Sequence, residues 1–175
     1  MTILLYVLLG IVVLVIFLIA IAPKTYHVHR SINIDRPVED VFQYLKYLKN
    51  HDDWSPWKKK DPNMTQTYTG TDGEVGFVAH WEGNKDVGVG EQELKKIVEN
   101  ERIESQLRFF KPWESQSDAY INVEQENKAS TRVTWGFSGV NKIPFNVFFL
   151  FFSMDKTVGK DFEEGLSNLK VILEK

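Results

Sequence analysis

The chain has 175 residues, with 24 acidic and 21 basic side chains for a net charge of −3, and it contains no cysteine. That length predicts one domain with at most a small appendage. The mildly acidic balance argues against a nucleic-acid partner, which would want a basic stripe, and the missing thiols exclude disulfides, thiolate catalysis and zinc-thiolate sites.

The first element is apolar throughout. Between Thr2 and Ala22 no residue is charged, and about 20 such residues in a helix cover a hydrocarbon core of roughly 30 Å. A core helix of a soluble domain is rarely apolar on every side over this length. A cleaved signal peptide is the competing reading, since Ala20 and Ala22 form an A-x-A pattern. Against it stand the lack of a basic segment before the apolar run, the length of that run, and Pro23 just after the cut. The expected organisation is therefore a transmembrane anchor over residues 1–23 followed by one domain over 24–175. Lys24, Arg30 and Arg36 flank the C-terminal end of the anchor, so the positive-inside rule predicts a single-pass protein, in a bacterial inner membrane, with a cytoplasmic domain.

TYHVHRSINI, residues 25–34, alternates with Tyr26, Val28, Ile32 and Ile34 on one parity, the pattern of a strand with one buried face. In DRPVEDVFQYLKYL, Asp35 is placed to cap a helix and Pro37 suits its first turn, while Val38, Val41, Phe42, Leu45 and Leu48 recur at helical spacing. Residues 49–63 carry turn formers and charges around Trp54 and Trp57, an irregular or short helical connection. Six strands are then expected in 64–70, 75–83, 87–98, 101–112, 115–127 and 129–140, separated by Gly, Asn or Pro turns as in an antiparallel meander. Their inward members are Phe77, Ala79, Trp81; Ile103, Ser105, Leu107, Phe109; Ala119, Ile121, Val123; and Val133, Trp135, Phe137. Residues 153–175 return to helix, with Ser153 as N-cap and Met154, Val158, Phe162, Leu166, Leu169 and Leu173 as one apolar stripe.

A sheet of about seven strands must bury its apolar face, and one amphipathic helix crossing a curved sheet leaves a gap suited to an apolar ligand. This order of elements, with VHRSINIDRPVEDVFQYL at 28–45, the pair Trp54 and Trp57 followed by Asp61-Pro62, WEGNKDVGVGEQEL from Trp81, ERIESQLRFFKPW from Glu101, STRVTWGFSG from Ser130 and GKDFEEGLSNLK from Gly159, resembles the SRPBCC superfamily of START-like, helix-grip proteins. Within it, the chain is similar to polyketide cyclase/dehydrase-type members that carry an N-terminal membrane helix. The resemblance covers nearly everything after residue 25. It implies an α+β helix-grip fold in which a curved antiparallel sheet wraps a long C-terminal helix, with a deep cavity between them. It supplies no fixed catalytic motif, so no catalytic residue is carried over, and fold alone does not choose among carriers, cyclases and hydroxylase domains.

The expected ligand pocket comprises Trp54, Trp57, Phe77, Trp81, Val89, Leu107, Phe109, Ile121, Trp135, Phe137, Phe145, Phe148, Phe149, Met154, Val158 and Phe162. Flat aromatic walls suit a lipid, isoprenoid or polyketide-like ring, and ordinary core is the alternative for each ring taken singly. Glu91 shares parity with Val87 and Val89. It is the one weak candidate for a buried acid or base in an enzyme of cyclase, dehydratase or hydrolase type, against an outward position at a bulge near Gly88 and Gly90. Arg30 falls on an inward parity and is suited to a phosphate or carboxylate, or to bending out to water. His27 and His29 lack a third ligand at suitable spacing, so neither metal nor cofactor is expected. Lys58, Lys59 and Lys60 form a solvated loop or a contact to anionic headgroups.

The strand-to-helix connection poses the sharpest question. Five of the twelve phenylalanines lie between Phe145 and Phe152, in a run too short to cross a bilayer. Residues 143–152 are expected to act as a lid at the cavity entrance, with some rings closing the core and the rest facing the pocket mouth or the membrane.

Overall fold

The computed structural model describes residues 2–175; Met1, the first residue of the expected anchor, lies outside the described residues. Helix α1 covers Thr2–Ile21 with none of its residues buried. It is the one helix among the described residues long and apolar enough to cross a membrane, a test that a signal sequence also passes.

Strand β1 (Thr25–Ile34) leads into α2 (Val38–Leu45), which buries Val38, Val41, Phe42 and Leu45. Pro37 stands at its N-cap, and no side chain caps it. Asp35, placed by sequence to do so, falls two residues before the N-cap, and its backbone N–H donates to Glu174 Oε1 at 2.6 Å. A 3-10 turn at Leu48–Asn50 and two one-turn helices, α3 (His51–Trp54) and α4 (Pro56–Lys60), make up the connection. Strands β2 (Thr65–Thr69), β3 (Val78–Glu82), β4 (Val89–Val98), β5 (Arg102–Lys111), β6 (Ser115–Asn127) and β7 (Ser130–Val140) follow. A 3-10 segment, Phe145–Leu150, precedes α5 (Met154–Leu173). Ser153 caps α5 by accepting from Lys156 N at 3.3 Å, which satisfies one otherwise orphaned donor.

The seven strands form one antiparallel sheet in the order β1-β7-β6-β5-β4-β3-β2. The early strand thus returns to pair with the last, so β1 and β7 bring both ends of the domain together: Thr25 lies opposite Val140. The expected alternation holds in β6 and β7, where Ala119, Ile121, Val123, Val133, Trp135 and Phe137 are buried. Helix α5 buries Phe162, Leu166 and Leu169 against this face, each fully buried apolar side chain contributing on the order of 1.5 to 3 kcal/mol.

Two close approaches set the helix-to-sheet distance. At Gly165 an added Cβ would sit 2.8 Å from Trp135 Cζ3 and 3.3 Å from Pro56 Cδ. At Gly159 it would run into the Arg30 guanidinium. That guanidinium is pinned, donating to Asp155 Oδ1 at 2.8 Å and Glu163 Oε1 at 2.6 Å. Arg30 therefore clamps β1 to α5 and does not line the cavity.

Candidate functional site

Between α5 and the concave face of the sheet lies a cavity of about 440 Å³, lined mainly by apolar side chains. That volume falls within the range of roughly 300 to 1,000 Å³ typical of small-molecule sites.

One wall is an aromatic stack. Phe162 of α5 lies nearly parallel to Trp135 with centroids 4.0 Å apart, and Phe137 meets Phe162 edge-on at 5.6 Å. Tyr26 stands 5.2 Å from Phe137 and its hydroxyl lies 2.6 Å from Ser117 Oγ. Burial raises the Tyr26 phenol above its usual range, opposed by that hydrogen bond. The far wall is Trp81 against Phe109, edge-on at 5.8 Å, and Gly90 permits it: a Cβ there would lie 2.6 Å from Trp81 Cζ2.

One corner is polar. Gln66 Nε2 donates to Asp52 Oδ1 at 2.9 Å, Lys58 Nζ donates to Met64 O at 3.1 Å and Gln66 Oε1 at 3.3 Å, and Gln92 Nε2 donates to Ser105 Oγ at 2.8 Å. His51 lines the same corner, with Nε2 3.4 Å from the Leu45 carbonyl. A carbonyl only accepts, so the ring proton sits on Nε2. Burial pushes this imidazole from 6.5 down to about 4, which leaves it neutral at pH 7.

Of the expected pocket residues, Trp57, Trp81, Leu107, Phe109, Trp135, Phe137, Met154, Val158 and Phe162 line the cavity. The others do not. Trp54 is fully buried edge-on to Trp135 at 4.7 Å, part of the core that supports the wall. Phe77 precedes β3 and is buried beside Tyr68, with centroids 5.9 Å apart. Ile121 borders only a void of about 10 Å³ beneath Trp135.

Val89 and Glu91 are misplaced for one shared reason. Strand β4 alternates without interruption from Val89 to Leu94, with Gly90, Gln92 and Leu94 inward and Val89, Glu91 and Glu93 outward; the extra residue of the nearby irregularity is Phe110 of β5, and β4 gains its own only at Lys95. Glu91 therefore lies on the outer face, accepting from Arg108 Nε at 2.6 Å, and it is removed as a candidate acid or base within the cavity. The buried Leu94 was the signal available in the sequence, because it fixes the parity of Gln92.

Phe145, Phe148 and Phe149 are absent from the cavity wall. None of the five phenylalanines in this stretch is buried; the buried residue of the 3-10 segment is Asn146. Its side-chain amide donates to the carbonyls of Ile19 at 2.9 Å and Ala22 at 3.4 Å, which docks the segment on the end of α1 and leaves the rings outside. The expected lid is thus a clasp on the apolar helix, and exposed members of the cavity lining, Lys85, Asp86, Lys111, Pro112 and Trp113, lie in and beside the turns at 83–88 and 112–114, which puts the mouth there.

The lysine run is also divided. Lys58 is turned inward, and Lys60 pairs with Asp161 at 2.7 Å while lying over Trp57. Successive residues on a one-turn helix point about 100° apart, and Lys59, the most exposed of the three, makes only a loose ion pair with Glu164 at 3.9 Å.

Comparison with known proteins agrees with this architecture. The sequence profile described as "Polyketide cyclase / dehydrase and lipid transport" matches residues 25–174. No curated protein matches the chain. Among solved structures, protein CV1439 from Chromobacterium violaceum is similar at 16% identity and TM-score 0.58, covering 87% of this chain and 99% of its own. The Aha1 dimer from Colwellia psychrerythraea is similar at 18% identity and TM-score 0.59, covering 85% of this chain and 96% of its own. Ara h 8.0201 matches at 11% identity and TM-score 0.56, covering 86% of this chain and 95% of its own. These likenesses establish the fold.

Proposed function

Because this chain belongs to the polyketide cyclase/dehydrase and lipid transport family, we propose that it is a membrane-tethered binding protein for an apolar small molecule held between α5 and the sheet. The observation that carries the reading is the 440 Å³ cavity with its largely apolar lining. Residues 24–175 form the binding domain, residues 1–23 hold it at the bilayer where apolar ligands are concentrated, and the charge bias of Lys24, Arg30 and Arg36 puts it on the cytoplasmic side of a bacterial inner membrane. Trp81, Phe109 and Leu107 face the body of the ligand, while Gln92 and the corner of His51 and Gln66 receive a polar end such as a hydroxyl or carbonyl. A lipid, isoprenoid or polyketide-like ring compound has this chemistry.

The test is direct. Solvent extraction of the purified, detergent-solubilised chain should release a stoichiometric apolar compound, and re-addition of that compound should raise Tm. An empty chain whose Tm is unmoved by a panel of apolar ligands would overturn the proposal.

A further inference from the structure

The sheet register locates the cavity mouth relative to α1. Thr25 pairs with Val140, Ser117 with Gly139, Phe109 with Ser115, and Lys111 and Glu82 both with Val89. All these pairs mark one edge of the sheet. The turns 83–88 and 112–114, whose residues rim the mouth, therefore project from the edge at which α1 joins β1. The segment 141–153 leaves β7 from this same edge.

That segment is fixed to the helix by hydrogen bonds. Besides the Asn146 contacts, Asn141 Nδ2 donates to Pro23 O at 3.0 Å and Asn141 N to Lys24 O at 2.9 Å. Lys142 Nζ donates to Glu114 O at 3.0 Å, tying the mouth turn to the same clasp. Ile19, whose carbonyl Asn146 reaches, lies three residues inside Ala22, so at about 1.5 Å per residue the contact point sits roughly 5 Å into the apolar helix.

Around this clasp the exposed side chains are apolar and large. Ile143, Phe145, Phe148 and Phe151 are 62%, 63%, 68% and 85% exposed, and Trp113 at the mouth is 74% exposed. No residue from Ile143 to Ser153 is charged. A contiguous surface of this kind in water is a liability, whereas an apolar face lying about 5 to 10 Å into the headgroup and acyl boundary is stable there.

We propose that the 143–152 clasp and Trp113 form an interfacial rim embedded in the leaflet at the C-terminal end of α1, so that the cavity opens onto lipid and not onto water. The occupant of this surface is the bilayer that α1 enters, and a ligand exchanges with that leaflet without crossing the aqueous phase. The inference rests on the anchor and cavity readings above and adds the route between them.

The chain has no cysteine, so a single introduced thiol carries an unambiguous label. Full-length Phe148→Cys, Phe151→Cys and Trp113→Cys, each labelled with a nitrobenzoxadiazole fluorophore, are reconstituted in phosphatidylcholine vesicles beside Lys128→Cys. Lys128 is exposed in the turn between Asn127 and Ser130, at the opposite edge. The first three labels should be quenched severalfold more by shallow spin-labelled lipids than the Lys128 label, and shielded from aqueous iodide. Equal iodide access at all four positions, with the variants retaining wild-type Tm, overturns the proposal. Labels are read without regard to cavity loading, so an empty cavity with buried labels would refute the ligand reading alone, and a loaded cavity with iodide-accessible labels would refute the rim alone.

Discussion

Asn146 is polar, fully buried and surrounded in sequence by rings that are not. The last carbonyls of a helix lack intrahelical partners, and its amide supplies two of them from more than a hundred residues away. Asn146→Ala should lower stability by about 1 to 3 kcal/mol, with hydrogen exchange accelerated chiefly in 141–153. Unchanged exchange there would mean the clasp is held by the rings alone. His51 gives a second expectation. Its folded pKa of about 4 lies below the unfolded 6.5, so the unfolded state binds more protons between these values. Stability is fully present above about 6.5 and is lost as pH falls through 4. Allowing for its partial exposure, the loss is on the order of 2 kcal/mol. The drop in Tm from pH 7 to pH 5 should shrink in His51→Gln; parallel profiles would contradict the assignment. Glu91, by contrast, sits in a surface pair with Arg108, and Glu91→Gln should cost at most about 1 kcal/mol and leave ligand release unaltered. Residue roles were the least legible layer of the sequence. Periodicity shows which residues share a face, but in β4 the apolar Val89 and Ile97 suggest one inward parity and Leu94 the other, because the extra residue at Lys95 switches parity within the strand, and nothing in a row of phenylalanines announces that the asparagine among them is the buried one.

At the scale of elements, α5 is placed by what it lacks. Glycine in a helix interior is less favourable than alanine by about 1 kcal/mol, so propensity alone predicts that Gly165→Ala stabilises. Packing predicts the reverse, because the new methyl would meet Trp135 at 2.8 Å with Pro56 behind, and overpacking against rigid rings costs about 1 to 3 kcal/mol. Packing should win, and Gly165→Ala should lower Tm by several degrees, with Gly10→Ala, where nothing lies within 4 Å, as the control in which no clash opposes propensity and Tm does not fall. A raised Tm in Gly165→Ala would mean that the helix can back away from the sheet. Element types were legible throughout: alternation in β1, β6 and β7 and the stripe of α5 identify both the elements and their buried faces. The Arg30 clamp was not, since pairing with Asp155 and Glu163 depends on how α5 crosses β1, and no local pattern encodes that crossing.

For the whole molecule, one sheet edge gathers the end of α1, the clasp and the cavity mouth. The aromatic wall was largely readable because inward parity on facing strands converges on one concave face: Trp81, Leu107, Phe109, Trp135 and Phe137 all reach the cavity. The polar corner was less so, because His51, Gln66 and Gln92 come from a connection, an edge strand and a bulged strand, with no shared period. The central claim is that the cavity holds an apolar ligand. Native mass spectrometry of the full chain released from detergent, compared with Leu107→Trp, tests it most directly. The larger ring would occupy space beside Trp81 and Phe109 in a cavity of about 440 Å³. Wild type should carry a discrete apolar adduct of small-molecule mass, and Leu107→Trp should lose it while keeping a Tm close to that of the extracted, ligand-free wild type. A wild-type chain with no adduct, or one retained undiminished by Leu107→Trp, would contradict the account.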